Sequence, residues 1–326
     1  MDKVAVLAGS SGFIGQSLIE PLTDRGYTVR TIGRRDADAD WADRTAVNRL
    51  VDGADLLINL AGRSVGCRYT DRNRNQIWSS PIRTTGKLLE AVTRADHPPR
   101  LWLNASTATI YRHATDRPQT EADGELGEGF SVDVARGWER EFFTGSLPRT
   151  RRVALRMAIV LGDSPALQML TTAARFGVGG PQLEGRWFAH RRYRGIGPEP
   201  SVPLLWKGHP PTHGQQRFSW IHIRDVVRAI GFIDDHEDLT GPVNLAAPVA
   251  STNAELMTCL RRSVGARFGV PTPRWLLEPG MFVLRQESEL VLKSRWVRPE
   301  RLTVAGFGFE FDRLPAAVSD LLGSRT

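Results

Sequence analysis

The chain starts with a strand, a glycine-rich turn and a helix, in that order. Apolar residues 4–8 precede three glycines spaced Gly-x-x-Gly-x-x-Gly within residues 9–15, and an apolar-periodic helix follows directly. Such glycines allow a tight turn and close backbone approach, while the helix N-terminus offers unpaired N–H groups to an anion. The pattern predicts a cradle for a dinucleotide pyrophosphate, and the alternative is a glycine turn that binds nothing. The predicted binding residues are Gly9, Ser11, Gly12, Phe13, Ile14 and Gly15.

The second predicted strand, residues 27–32, indicates which dinucleotide is bound. Proteins that bind NAD place an acidic side chain near its end, against the ribose 2′-hydroxyl. Here the strand is followed by Gly33 and then by Arg34 and Arg35. Guanidinium groups suit bidentate phosphate contact, so we predict NADP(H) as the cofactor, bound by both arginines. A solvated turn is the alternative, because this chain uses arginine freely.

Composition excludes several classes of protein. The 326 residues, 41% of them apolar, can bury the core of one large or two modest domains. The net charge of +7 comes mainly from arginines spread along the chain, with no aromatic-interleaved basic run, so we expect no nucleic-acid partner. The four lysines are Lys3, Lys87, Lys207 and Lys293.

The cellular setting is predicted from cysteines and hydropathy. Cys67 and Cys259 are too few for a disulfide framework, which fits a reducing cytosol. No apolar stretch reaches membrane-spanning length, and the first strand leaves no room for a signal peptide. We therefore expect a cytoplasmic protein with no membrane partner, an unidentified small-molecule substrate, and a homodimer as an open alternative.

Strands and helices alternate through residues 1–162, which predicts an α/β fold with a Rossmann-like, doubly wound parallel sheet. Residues 218–245 are expected to complete it. Residues 163–326 are predicted to form a smaller substrate-side region, with an insert at 186–214 and a small domain at about 250–326. The insert is interpreted as either functional, such as a lid, or disordered. Since ligands bind at the carboxyl ends of strands, the predicted crevice also includes Leu60, Ala61, Gly62, Ser106 and Thr107.

The sequence also predicts the extent of two long strands and two helices. Residues 151–161 and 218–223 are each predicted as one strand. Pro81 should kink or split the helix predicted over about residues 71–95. Another helix is predicted around residues 285–294.

The whole chain resembles an atypical extended short-chain dehydrogenase/reductase, specifically the epimerase family proteins with a small C-terminal domain of unknown function. The resemblance rests on residues 9–15, 58–62 (Ile-Asn-Leu-Ala-Gly), 106–111 (Ser-Thr-Ala-Thr-Ile-Tyr), 218–223 (Phe-Ser-Trp-Ile-His-Ile) and 299–302 (Pro-Glu-Arg-Leu). It implies a Rossmann domain that binds a nicotinamide dinucleotide and a smaller domain on the substrate side.

Catalytic members of the wider superfamily carry a Tyr-x-x-x-Lys pair, in which the lysine lowers the tyrosine pKa and the tyrosine transfers a proton. No tyrosine here has a lysine four residues later, and the two expected positions hold Ser131 and Ala135. Thr107 matches the superfamily's catalytic Ser/Thr, or it is a satisfied hydroxyl at a strand end. Tyr111 is a second catalytic candidate, or a packed aromatic with a polar tip.

Two further residues are candidates for substrate contact. His222 lies in an alternating strand and is either a proton donor or a structural histidine. Arg156 either binds a substrate anion or pairs within the domain. No metal ligands are predicted.

Two hypotheses about function therefore stand. The first is an NADP(H)-dependent oxidoreductase or epimerase acting on a small carbonyl or hydroxyl compound, which is sugar-nucleotide-like if it follows the family. The second is a non-catalytic NADP(H)-binding sensor or scaffold, as an intact cradle beside a missing Tyr-Lys pair would suggest. Positioning alone supplies much of the rate of hydride transfer, which favours the enzyme.

Overall fold

The computed structural model describes residues 3–184, 191–201 and 211–323. The strands are β1 (Lys3–Ala8), β2 (Tyr27–Gly33), β3 (Ala39–Asp40), β4 (Leu56–Asn59), β5 (Leu101–Thr107), β6 (Arg151–Met157), β7 (Ile159–Leu161), β8 (Arg217–Phe218), β9 (Trp220–His222), β10 (Gly241–Leu245) and β11 (Ser251–Thr252). The helices are α1 (Phe13–Asp24), α2 (Arg44–Val51), α3 (Asp71–Arg94), α4 (Phe130–Phe142), α5 (Pro165–Arg175), α6 (Ile223–Asp235), α7 (Asn253–Ser263), α8 (Arg274–Val283), α9 (Glu289–Leu292), α10 (Glu300–Val304) and α11 (Leu314–Gly323).

A seven-stranded parallel sheet forms the centre of the fold, in the order β10-β6-β5-β4-β1-β2-β3. The strand order reverses between β1 and β4, which is the switch point where doubly wound sheets bind ligands. The predicted α/β fold with a Rossmann-like sheet is confirmed. β10 adds a late segment of the chain to the edge of this sheet beside β6.

Both faces of the sheet are buried, as expected when helices cover a parallel sheet on both sides. Leu7 and Ile58 pack on one face against α1 and α6, while Val6 and Leu57 pack on the other against α2, α3 and α4. Successive side chains of a strand point to opposite faces, so β1 from Val4 onward and β4 up to Ile58 are apolar. This packing fixes the carboxyl ends of the strands along one edge.

The two long predicted strands are each divided. Residues 151–161 form β6 and β7, and residues 217–222 form β8 and β9. β7 pairs with β9, while β8 pairs with β11, so the main sheet ends at Met157. Ser219 lies between β8 and β9. Its N–H and its hydroxyl donate to the Arg295 carbonyl, and its hydroxyl oxygen accepts from the Val297 N–H. These bonds turn the strand toward the C-terminal segment.

Helix boundaries differ from prediction in two places. α3 continues through Pro81 without splitting, because buried residues before and after it, such as Ile77 and Leu88, extend one packed face. The helix predicted over residues 285–294 is wrong except for α9. A longer helix, α8, precedes it despite Pro279 and Gly280, and Arg285 with φ of 55° ends that segment.

The described part of the insert packs on the body of the protein. Residues 191–193 form one 3₁₀ turn, and the Arg74 guanidinium of α3 donates to the carbonyls of Arg192, Arg194 and Gly195. The Asp133 carboxylate of α4 accepts from two further backbone N–H groups of residues 196 and 201. Residues 185–190 and 202–210 of the predicted insert lie outside the described residues.

Candidate functional site

The predicted binding residues lie along one edge of the sheet, at the carboxyl ends of four adjacent strands. Thr107 ends β5, residues 60–62 follow β4, Gly9 follows β1, and Arg34 follows β2, in the order of the strands across the sheet. With neighbouring strands about 4.8 Å apart, this row spans three strand spacings, or about 14 Å. The edge includes the switch point between β1 and β4, which suits an extended ligand lying across the strands.

The glycine turn has the geometry of a close-packed cradle. Gly9 has a φ of 87°, and a Cβ there would lie 2.9 Å from the backbone carbon of Leu60. A Cβ on Gly15 would lie 2.4 Å from the carbonyl oxygen of Gly9. Side chains at either position would force the turn apart. Gly12, by contrast, is exposed at the N-cap of α1, which carries no side-chain cap.

The remaining cradle residues have distinct positions. Ser11 is exposed, Ile14 packs against the core, and Phe13 contacts Gly162, where a Cβ would lie 2.2 Å from its ring. Ala61 is anchored by its N–H to Asn59 Oδ1 at 3.1 Å and through its carbonyl to Thr84 Oγ1. The loops after β1 and β4 therefore form one rigid floor, above which the uncapped N-terminus of α1 is accessible to an anion.

Arg34 and Arg35 are exposed just beyond β2, and neither makes an ion pair with a described residue. The nearby Asp38 carboxylate is engaged elsewhere, since it accepts from the Thr31 N–H at 2.8 Å and pairs with Arg30. These Thr31 bonds and Arg30 lower the pKa of Asp38 in spite of its partial burial. Two guanidinium groups thus remain available at the end of the strand where a dinucleotide presents its ribose 2′ position.

Thr107 caps the 3₁₀ turn of residues 108–110. Its Oγ1 accepts from the Thr109 N–H at 3.1 Å, and the side chain is partly exposed. Its hydroxyl hydrogen is directed away from that accepted bond and can be donated to a ligand oxygen.

Tyr111 and Arg156 belong to a buried network behind this edge. The Tyr111 hydroxyl, in a residue 2% exposed, donates to Asn244 Oδ1 at 2.9 Å and accepts from Arg156 at 2.8 Å. Arg156 forms a bidentate pair with Glu139, which also accepts from the Ser106 hydroxyl at 2.6 Å. Burial raises the pKa of Tyr111, although Arg156 opposes this shift. β6 places Arg156 beside Ser106, next to the row that includes Thr107, but the side chains of Tyr111 and Arg156 are bonded inside the protein and not directed to a ligand.

His222 is also away from that row. It caps α6, where its Nδ1 accepts from the Arg224 N–H at 3.1 Å. Its ring stacks on Phe311 with centroids 4.0 Å apart, and its Nε2 lies 3.3 Å from Asp320. Burial lowers the pKa of His222, which Asp320 partly offsets. These contacts place His222 in the packing between α6 and α11.

A second group of side chains, those of Ser131, Glu289 and Lys293, lies near the 3₁₀ turn that Thr107 caps, and no sequence motif marks it as a site. Ser131 donates to Glu289 at 3.1 Å, and Lys293 donates to the Thr109 carbonyl at 2.8 Å. Glu289 and Lys293 are about 160 residues or more from these partners in the chain. No spacing in the sequence indicates this contact, and the only available signal was the rarity of lysine.

Two parts of the chain are similar to known protein families. Residues 5–128 match the model of the NAD dependent epimerase/dehydratase family, and residues 272–321 match a domain of unknown function, DUF1731. The N-terminal part of the chain is therefore similar to this family. The resemblance predicted from the sequence motifs is thereby confirmed. Among the described residues there is no helix long and apolar enough to cross a membrane.

Proteins named epimerase family proteins are similar to this chain along nearly its whole length. Epimerase family protein YfhF of Bacillus subtilis is 26% identical over 328 residues and covers 98% of each chain. Epimerase family protein SH2119 of Staphylococcus haemolyticus is 28% identical, covering 98% of this chain and 99% of that protein. The crystal structure of human epimerase family protein SDR39U1 (isoform 2) with NADPH has a TM-score of 0.78 at 24% identity, covering 98% and 99% of the two chains. This likeness concerns the fold.

Proposed function

We propose that the protein is an NADP(H)-dependent oxidoreductase or epimerase that acts on a small carbonyl or hydroxyl compound. The observation that supports it most is the row at the sheet edge, where the glycine cradle lies between two unpaired arginines and a partly exposed threonine hydroxyl. When bound, a nicotinamide dinucleotide supplies or accepts a hydride.

Each part of the row has a separate role in this proposal. Backbone N–H groups of the first turn of α1 bind the pyrophosphate, while those of Gly9 and Gly12 close the turn by donating to the carbonyls of Ile32 and Gly9. Arg34 and Arg35 bind the 2′-phosphate that distinguishes NADP(H) from NAD(H), and residues 60–62 form the floor beside it. Thr107 donates its hydroxyl to the substrate oxygen, which fixes the reacting carbon in place.

The choice of NADP(H) has two supports. Gly33 occupies the end of β2, so no acidic side chain at that position repels a 2′-phosphate. In addition, human SDR39U1, which shares the fold, was crystallised with NADPH. Tyr111 and Arg156 have no part in the proposed chemistry, because their polar groups have partners inside the protein. His222 has none either, because its ring is packed against Phe311 beside Asp320.

A binding titration tests this function. Nucleotide-free protein is titrated with NADPH and, separately, with NADH, while the nicotinamide fluorescence is followed. We expect NADPH to bind at least about tenfold more tightly than NADH, which corresponds to about 1.4 kcal/mol. Equal affinities would contradict the roles of Arg34 and Arg35. If neither nucleotide binds, the whole proposal is wrong.

A further inference from the structure

The C-terminal region supplies charged side chains to the position where the superfamily's Tyr-Lys pair is missing. Ser131 of α4 stands at the tyrosine position of that pair, and its hydroxyl donates to Glu289 Oε2 at 3.1 Å. One helical turn later, Lys293 Nζ donates to the Thr109 carbonyl at 2.8 Å. Thr109 also accepts from Arg295 through its hydroxyl at 3.2 Å. Because Thr107 caps the turn that contains Thr109, these groups lie within one turn of the hydroxyl proposed to bind the substrate oxygen.

An unsatisfied buried hydroxyl points to a ligand at the same place. Tyr69 is 4% exposed, and its hydroxyl has Ser131 and Glu289 as polar neighbours but makes no well-aligned hydrogen bond within the part of the chain that the structure describes. Burial raises the pKa of Tyr69, with a further increase from Glu289, while Ser131 and Arg295 oppose it. A buried polar atom without a partner is rare in native proteins, so a bound molecule or water is expected to complete it.

Lys293 has the properties of a group that exchanges protons near neutral pH. It is only partly exposed, and burial lowers the pKa of its ammonium to about 7. Arg295 lowers this pKa further, while Glu289 opposes the shift. Two further titratable groups lie nearby in the described chain: His113, whose Nδ1 accepts from the Ser294 N–H, and Arg217, which lines the same small space as Lys293. The ammonium form has three N–H donors, and the Thr109 carbonyl accepts from one of them.

We propose that Lys293, assisted by Glu289, is the proton-transfer residue of this crevice and replaces the missing Tyr-Lys pair. The inference rests on the proposed NADP(H)-dependent function. Reduction of a carbonyl adds a hydride to its carbon, which a reduced nicotinamide supplies, and a proton to its oxygen. The Lys293 ammonium gives that proton, becomes a neutral amine and is reprotonated from water. In the oxidative direction the neutral amine takes the proton of the substrate hydroxyl. The negative charge of Glu289 keeps the ammonium form accessible at neutral pH.

Lysine-specific NMR tests this directly, without a known substrate. Protein labelled with ¹³C at the lysine ε-carbon contains only four signals to follow against pH, from Lys3, Lys87, Lys207 and Lys293. The signal that disappears in Lys293→Met belongs to Lys293. If Lys293→Met does not fold, a variant with the other three lysines changed to arginine retains only the Lys293 signal and assigns it instead. We expect Lys293 to titrate near pH 7, well below the ordinary pKa of a lysine side chain, about 10.4. Glu289→Gln should lower the Lys293 midpoint further.

The same signal is then followed with saturating NADPH and with NADP⁺, after binding has been established by fluorescence. The positive nicotinamide ring of NADP⁺ should lower the Lys293 midpoint by at least about 0.5 pH unit relative to NADPH. If the nucleotides bind but the midpoint lies near 10, or does not differ between them, Lys293 is not the proton-transfer residue and the proposed function stands. If neither nucleotide binds, both proposals fall.

Discussion

Glu139 and Arg156 form a bidentate ion pair, with N–O distances of 2.9 and 2.8 Å, beneath the edge of the sheet that holds the candidate site. Both residues are 8% exposed, and the pair links α4 to β6. Glu139 also accepts from Ser106, one residue before Thr107. The ion pair therefore holds the end of β5, and with it the position of Thr107, against the helix that supplies Ser131.

Breaking this pair should destabilise the whole protein. Arg156→Met leaves the Glu139 carboxylate buried without its counter-ion, so we expect the free energy of unfolding to fall by about 3–5 kcal/mol. The double variant Glu139→Leu with Arg156→Met removes both charges and should lose less. Urea denaturation measures both. Arg140→Met, at an exposed pair with Glu199, is the control and should change stability by less than about 1 kcal/mol. A loss no greater than that of the control would contradict the structural role of Arg156.

The two arginines after β2 should control the choice of cofactor. In the variant Arg34→Ala with Arg35→Ala, we expect the Kd for NADPH to rise about 10- to 100-fold, because charge-assisted bonds to a phosphate are lost. The Kd for NADH should change little. Arg94→Ala removes an exposed arginine at the C-terminus of α3, toward the opposite edge of the sheet, and should leave both affinities unchanged. Parallel losses for both nucleotides would contradict a contact with the 2′-phosphate.

Arg74 should hold the described part of the insert against α3. Arg74→Met removes the guanidinium that bonds to three carbonyls of residues 192–195. We expect amide hydrogen exchange across residues 191–201 to accelerate about tenfold or more, because bonds to charged groups stabilise by about 1.5–3 kcal/mol. Arg72→Met, an exposed neighbour on the same helix, is the matched control. Unchanged exchange in the Arg74 variant would show that other contacts hold this segment.

Lys293 should make stability depend on pH. Its folded pKa of about 7 lies below the unfolded value near 10.4, so between these pH values the unfolded chain binds the extra proton. Stability contributed by Lys293 therefore rises with pH from about 7 toward 10, by at most about 1.4 kcal/mol per unit. Urea denaturation at pH 7 and pH 9 measures it as the difference between the wild type and Lys293→Met. The free energy of unfolding of the wild type minus that of Lys293→Met should be larger at pH 9 than at pH 7. If it is not, the lowered pKa of Lys293 is contradicted.

Local patterns in the sequence were sufficient for the sheet and the cofactor edge. The glycine spacing of residues 9–15 and the arginines after Gly33 are consecutive in the chain, so the strand–turn–helix unit that holds them could be recognised directly. α2 and α11 likewise bury apolar residues at helical spacing, Val47 and Val51 in α2 and Leu314 and Val318 in α11. α8 could not be found in this way, since packing around Leu277 and Met281 outweighs the local cost of Pro279 and Gly280.

The substrate side was decided by the tertiary structure alone. The sequence left Arg156 and Tyr111 open between ligand contact and internal pairing, and only the fold shows them bonded to Glu139 and Asn244. It also gave no indication that Lys293 lies against Thr109, 184 residues away in the chain. A strand–turn–helix motif is local, so its residue order determines its geometry. A cluster of charges across two regions of the chain depends on how those regions pack, and no spacing within either region encodes it.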